Sequence, residues 1–271
     1  MSALVRGTLR RLQELLRSGR RVACYRVGDQ WVIINHRGTR ADLGVIRQCF
    51  DERQYEIPEW RARYRTHADA FYQSVIAAGK SPLIVDCGAN LGASVLWFSV
   101  RYPEAEIVAI EPATDNFSLL RRNCSTERID LRPAAVGPRD GVTLLSDPGE
   151  GAWGYRTGND GARGYEVPMI SVGTVLAKKS AERYEPFILK LDIEGAEKAL
   201  FAGSWKALDR FPVVVIEPHD WMAPGGRIAC GFFRFHSETG RDFVHRGENI
   251  FSISYRNLIG SAGGRGNASP P

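Results

Sequence analysis

From Ser81 onward, short apolar runs, most of them ending in an acidic residue, alternate with helix-forming stretches, and few architectures accept that pattern. Leu83–Asp86, Ile107–Glu111, Leu131–Val136, Phe187–Asp192 and Val213–Glu217 read as buried strands. Ser94–Val100, Asn116–Arg122 and Ala196–Leu208 read as the helices between them. Strands that are apolar on both faces and separated by helices imply a parallel sheet covered on both sides, a doubly wound α/β fold. After Glu217 the alternation stops. Gly231–Phe235 and Ile250–Ile253 have strand character around a polar turn region, which predicts an antiparallel hairpin closing one edge.

The front of the chain follows a different pattern. Leu4, Val5, Leu9, Leu12, Leu15 and Leu16 recur at helical spacing, so residues 2–18 are predicted to form an amphipathic helix. Cys24–Arg26 and Trp31–Asn35 predict a small hairpin, and residues 43–79 a mainly helical section broken at Pro58. The expected organisation is a mainly helical basic cap over residues 1–79, an α/β domain over 80–258 and a disordered tail over 259–271. That tail is glycine, serine and proline with almost nothing to bury. Residues 146–165 carry six glycines around Trp153 and Tyr155 and predict a mobile loop or an irregular hairpin.

Composition excludes several classes. With 44% hydrophobic and 25% charged residues over 271 positions, the chain has an ordinary globular make-up. No apolar stretch is long enough to span a bilayer, so no membrane insertion is expected. The first residues lack the apolar core and cleavage site of a secretory signal. Five scattered cysteines without a Cys-x-x-Cys pair argue for a reducing compartment, hence a cytoplasmic location. The net charge of +5 is concentrated at the front, where residues 1–66 hold 14 Arg against 7 acidic residues. Such an arm could attract nucleic acid, but no aromatic interleaving or recognition motif accompanies it. A solvated helix face explains it better.

Two segments carry the chemistry. The first is the turn Val85-Asp86-Cys87-Gly88-Ala89-Asn90-Leu91-Gly92 between a strand and a helix. Its glycines permit a tight turn and close approach of a ligand to the backbone. A dinucleotide fingerprint would place glycine where Asn90 stands, and the Asp86 carboxylate fits a cationic ligand better than a pyrophosphate. Glu111, 23 residues after Gly88, ends the next strand, where an acid can accept the hydroxyls of a ribose. The second segment is Lys190-Leu191-Asp192-Ile193-Glu194-Gly195-Ala196-Glu197. Asp86, Glu111, Asp192, Glu194 and Glu217 then all fall at carboxyl ends of strands, where open α/β sheets bind ligands. His219 follows the last parallel strand and is a candidate base. Asp192, Glu217 and His219 could hold a divalent metal, but no ligand spacing demands one and none is expected to be required.

Together with Glu111-Pro112, Asn116, Asn123 and Ala134-Ala135-Val136-Gly137, these segments resemble the FkbM-type methyltransferases over about residues 81–255. The resemblance implies an S-adenosylmethionine-dependent enzyme of the Rossmann-like class I, with a seven-stranded sheet and an antiparallel edge hairpin, methylating a hydroxyl group. It implies that Gly88, Asn90 and Gly92 receive the methionine end of the cofactor, together with Asp86 and Asp192. Glu111 would bind the ribose, supported by Asn116, and Ala135 and Val136 would flank the adenine. Glu194 or His219 would take the proton of the acceptor, a small molecule or a saccharide. A homodimer through the N-terminal extension is a further expectation. The competing readings are a nucleic-acid methyltransferase and an NAD-dependent oxidoreductase on the same sheet.

Overall fold

A computed structural model describes residues 19–146, 156–157 and 164–260. The predicted helix over 2–18, most of the glycine-rich stretch 146–165 and the tail beyond Gly260 lie outside the described residues. The front section forms a hairpin of β1 (Val22–Val27) and β2 (Gln30–Asn35), then helix α1 (Arg40–Phe50). The Thr39 hydroxyl caps α1 by accepting the Asp42 N–H. Pro58 precedes a single 3-10 turn and helix α2 (Ala62–Ala77), so the helical section breaks at the expected proline.

The α/β part runs β3 (Ser81–Cys87), α3 (Ala93–Arg101), β4 (Glu106–Ile110), α4 (Thr114–Asn123) and β5 (Ile129–Arg132). It continues through β6 (Ala135–Val136), β7 (Gly141–Ser146), β8 (Arg156–Thr157), β9 (Gly164–Ile170), α5 (Val172–Ala177) and β10 (Tyr184–Leu191). It ends with α6 (Glu197–Leu200), β11 (Val213–Ile216), α7 (Cys230–Glu238), β12 (Asp242–Arg246), β13 (Asn249–Ile253) and α8 (Tyr255–Gly260). Seven strands form one sheet in the order β12-β13-β11-β10-β3-β4-β5. Its pairs are parallel from β11 to β5 and antiparallel at β13 and β12, as expected.

The two-residue period of a strand divides the core. Ile84, Ile107, Phe187, Val213 and Val215 face one side, where they pack with Ile34, Ile46, Phe50 and Phe71 of the front section. Leu83, Val85, Val108, Leu189 and Val214 face the other, against Val175, Leu200, Phe201, Phe232 and Phe235. The front section therefore shares a core with the sheet.

Four local expectations are corrected. Gly231–Phe235 is helical, within α7: Phe232 and Phe235 are buried three positions apart while Phe233 is exposed. The edge hairpin is instead β12 with β13. The helix expected over Ala196–Leu208 stops after Leu200, before Gly203 and Ser204, where the Trp205 indole N–H donates to the Phe201 carbonyl at 2.9 Å. The run Leu131–Val136 divides: β5 stays in the large sheet, while β6 joins a four-stranded sheet in the order β6-β9-β7-β8. Within that sheet β7 pairs antiparallel with β9, so the glycine-rich stretch lies between two paired strands. Among the described residues no helix is long and apolar enough to cross a membrane.

Candidate active site

Because the sheet order places β3 between β4 and β10, the turn after β3 is flanked by the residues that follow those strands. A cleft of about 540 Å³ opens there. Gly88, Asn90, Glu111, Asn116, Ala135, Val136, Asp192 and Glu194 all line it. Asp86, Gly92 and His219 do not.

The turn is built around positive φ angles at Gly88, Asn90 and Gly92. At Gly88 (φ +82°) a Cβ would fall 1.7 Å from the Asp192 carbonyl oxygen, so only glycine lets these two strand ends approach. A Cβ on Gly92 would meet Cys124 Sγ at 2.7 Å, so this glycine serves packing against α4. Glu111 is buried, and its carboxylate is aimed by the backbone. Its Oε2 accepts the Asn90 N–H at 2.8 Å and its Oε1 the Ala113 N–H at 2.9 Å. Burial pushes its pKa up to about 7, although those hydrogen bonds and the Asn116 amide favour the charged form. Asn116 in turn accepts from Arg37 at 2.8 Å, and Arg37 is held by Asp42 at 2.6 Å.

Asp86 departs from its expectation. Its carboxylate is fully buried below the cleft, 3.0 Å from Lys190 Nζ, and accepts the Ser94 hydroxyl at 2.6 Å. Lys190 therefore offsets the Asp86 charge, leaving it no free charge to offer a cationic ligand. Burial pushes the Asp86 carboxyl up, with Lys190 and Ser94 opposing. Burial also works against the Lys190 ammonium, but Asp86, Tyr55 and Asp192 outweigh it and keep it charged. Lys190 also donates to the Gly88 carbonyl at 2.7 Å, so this ion pair fixes the turn from beneath. Sequence reasoning missed Lys190, although a lysine inside a strand buried on both faces was the available signal.

The segment after β10 turns sharply at Glu194 (φ +52°) and Gly195 (φ +92°), bringing Asp192 and Glu194 toward His219. His219 is 1% exposed. Its Nδ1 lies 3.0 Å from Glu197 Oε1, and its Nε2 faces Glu194 at 3.6 Å, Asp192 at 3.7 Å and Glu217 at 3.8 Å. Burial opposes a charged ring, but the hydrogen bond and charge of Glu197, with Asp192 and Glu194, push the pKa up to about 10. Burial, then the Asp192 charge, push Glu194 and Glu217 each up to about 8. Glu197, which sequence reasoning assigned only to the start of a helix, is buried and orients the imidazole.

The residues fit S-adenosylmethionine. A backbone cradle that excludes any Cβ, an aimed carboxylate and an apolar wall match its methionine, ribose and adenine parts. An acidic end suits its sulfonium and ammonium charges.

The model of the methyltransferase FkbM domain matches residues 86–243, more than half of the chain. Hexuronic acid methyltransferase AglP of Haloferax volcanii is 26% identical over 174 residues, 61% of this chain and 68% of that protein. Methyltransferase sdnD of Sordaria araneosa is 46% identical over 43 residues, 16% of this chain and only 17% of that protein. Among solved structures, an O-methyltransferase from Bacillus cereus in complex with SAH is 12% identical with a TM-score of 0.36, covering 78% of this chain and 88% of that one. A precorrin-6y C5,15-methyltransferase from Geobacter metallireducens is also 12% identical, with a TM-score of 0.35 over 69% of this chain and 85% of that one. The chain belongs to the FkbM methyltransferase family.

Proposed function

We propose that this protein transfers a methyl group from S-adenosylmethionine to a hydroxyl of a small molecule or saccharide. The observation that carries the reading is the cleft that brings Gly88, Glu111, Asp192 and Glu194 to one place. Gly88 and Asn90 would receive the methionine portion and Asp192 its amino group. Glu111, supported by Asn116, would accept the ribose hydroxyls, and Ala135 and Val136 would lie against the adenine. When bound, the cofactor supplies an electrophilic methyl on a good leaving group. The protein's task is then to align the acceptor oxygen, exclude water and remove one proton. Glu194 lines the cleft beside Asp192 and is the carboxylate placed to receive that proton. A saccharide acceptor is supported by the similarity to the hexuronic acid methyltransferase. Several Arg residues of the front section pair with acids, as with Arg37–Asp42, Arg47–Glu52 and Arg65–Glu56.

Isothermal titration with S-adenosylmethionine, S-adenosylhomocysteine and NAD tests the cofactor. Binding of both adenosyl ligands without NAD is expected, and NAD binding alone would overturn the reading. Transfer of a labelled methyl to saccharides, to other hydroxyl compounds or to RNA then identifies the acceptor class.

A further inference from the structure

His219 is more elaborately held than a positioning residue requires. It is almost fully buried, its Nδ1 is fixed by Glu197, and Glu197 Oε1 is itself anchored by the Ile193 N–H at 3.1 Å. Among the described residues its Nε2 makes no hydrogen bond, yet it points at Glu194, Asp192 and Glu217. A carboxylate that fixes one imidazole nitrogen so that the other presents a lone pair is the arrangement found behind metal-bound histidines. Ligand atoms of Asp192, Glu194 and His219 all lie within 4.8 Å of one another. Ligands at about 2.0–2.2 Å from one ion are roughly 3–4.4 Å apart, so small side-chain rotations would close the set. Acidic groups also outnumber basic ones around it. Asp86, Asp192, Glu194, Glu197 and Glu217 gather here against Lys190, already paired with Asp86, and the imidazole.

We propose that His219 Nε2, Asp192 and Glu194 form a binding site for one divalent cation of the Mn2+ or Mg2+ class, with Glu217 beside it. One nitrogen among carboxylate oxygens suits Mn2+ best and lacks the thiolates of a zinc or copper centre. Asp192 and Glu194 also line the cleft, so the ion has an open side toward the place where the acceptor must approach. There it would supply Lewis-acid stabilisation to the reacting hydroxyl, leaving the second oxygen of Glu194 to receive the proton. That catalytic consequence rests on the proposed function, whereas the binding site does not.

The test uses the full chain, stripped with EDTA and titrated with Mn2+ in the absence of cofactor and acceptor. Loss of the free Mn2+ EPR signal counts the bound ion, and pulsed EPR on protein labelled with 15N-histidine reads imidazole coupling. One Mn2+ per chain with a histidine coupling is expected, with the coupling lost in His219→Gln and affinity lowered at least tenfold in Asp192→Asn. Circular dichroism confirms that each variant is folded, and the wild-type coupling decides the matter if one is not. No bound Mn2+, or bound Mn2+ without imidazole coupling, would overturn the site. Neither readout depends on turnover, so failure of the cation site and failure of the methyl-transfer reading are separate results.

Discussion

Glu111 illustrates how one side chain can be set to work by its burial. Its two oxygens are aimed by the Asn90 and Ala113 amides, while desolvation lifts the pKa to about 7. Above that pH the carboxylate is a pure acceptor for ribose hydroxyls; below it, a bound proton removes acceptor capacity. Affinity for S-adenosylhomocysteine should therefore fall as pH drops from 8 to 6. In Glu111→Gln that dependence should vanish, with affinity about 10- to 100-fold below wild type at pH 8, because charge-assisted hydrogen bonds are lost. Isothermal titration at several pH values checks this, and a flat wild-type profile would remove the ribose assignment. Glu194→Gln belongs to the other end of the cleft. It should lower turnover about 100-fold while leaving S-adenosylhomocysteine affinity within about twofold, since its part is in the reaction and not in holding the cofactor. Loss of cofactor binding would assign it differently. The cleft-lining residues were legible because each sits at a fixed offset from a strand end. Of the partners of His219, Asp192 and Glu217 were legible, whereas Glu197 was not, since it meets the ring only through the positive-φ turn at Glu194 and Gly195.

At the scale of elements, β3 and β10 are locked by more than their ladder. Lys190 stands opposite Asp86 in the parallel register, and their ion pair is buried with the Gly88 carbonyl. Removing one partner leaves a buried charge uncompensated, whereas replacing both with apolar groups does not. Lys190→Met should cost about 3–5 kcal/mol in urea unfolding, and Lys190→Met combined with Asp86→Leu should recover much of it. Equal loss in both proteins would show that the ladder and not the pair sets the cost. The same scale shows where sequence reading succeeds. Central strands such as Val213–Ile216 are apolar on both faces and announce themselves. The edge strand β12 buries Val244 alone among its five residues, so its pattern is weak, and the neighbouring Phe-rich run of α7 looked more strand-like than it did. The short α6 was overread because the tertiary contact that ends it, Trp205 on Phe201, is invisible in a periodicity.

For the whole molecule, the deciding fact is that the front section supplies part of the cover of one face of the sheet. Ile84, Ile107, Phe187, Val213 and Val215 are buried by residues that include Ile34, Ile46, Phe50 and Phe71, all from the first 79 positions. The front section also reaches the site itself. Asn35 and Asn123 exchange hydrogen bonds while Asn123 holds the Leu91 carbonyl, Arg37 holds Asn116, and the Tyr55 ring lies 5.4 Å from Lys190 Nζ. The sequence suggested a basic cap laid against the core; shared packing makes it a layer of the fold. A fragment of residues 80–271 would expose that apolar face, each large side chain forfeiting about 1.5–3 kcal/mol, against a total stability of only about 5–15 kcal/mol for a typical domain. It should therefore lack a cooperative urea transition and near-ultraviolet dichroism, and should not bind S-adenosylhomocysteine. A fragment that unfolds cooperatively and binds the ligand would instead make residues 1–79 a separable cap, and would move the Arg37 and Asn35 contacts from support of the cofactor site to mere docking of one domain on another.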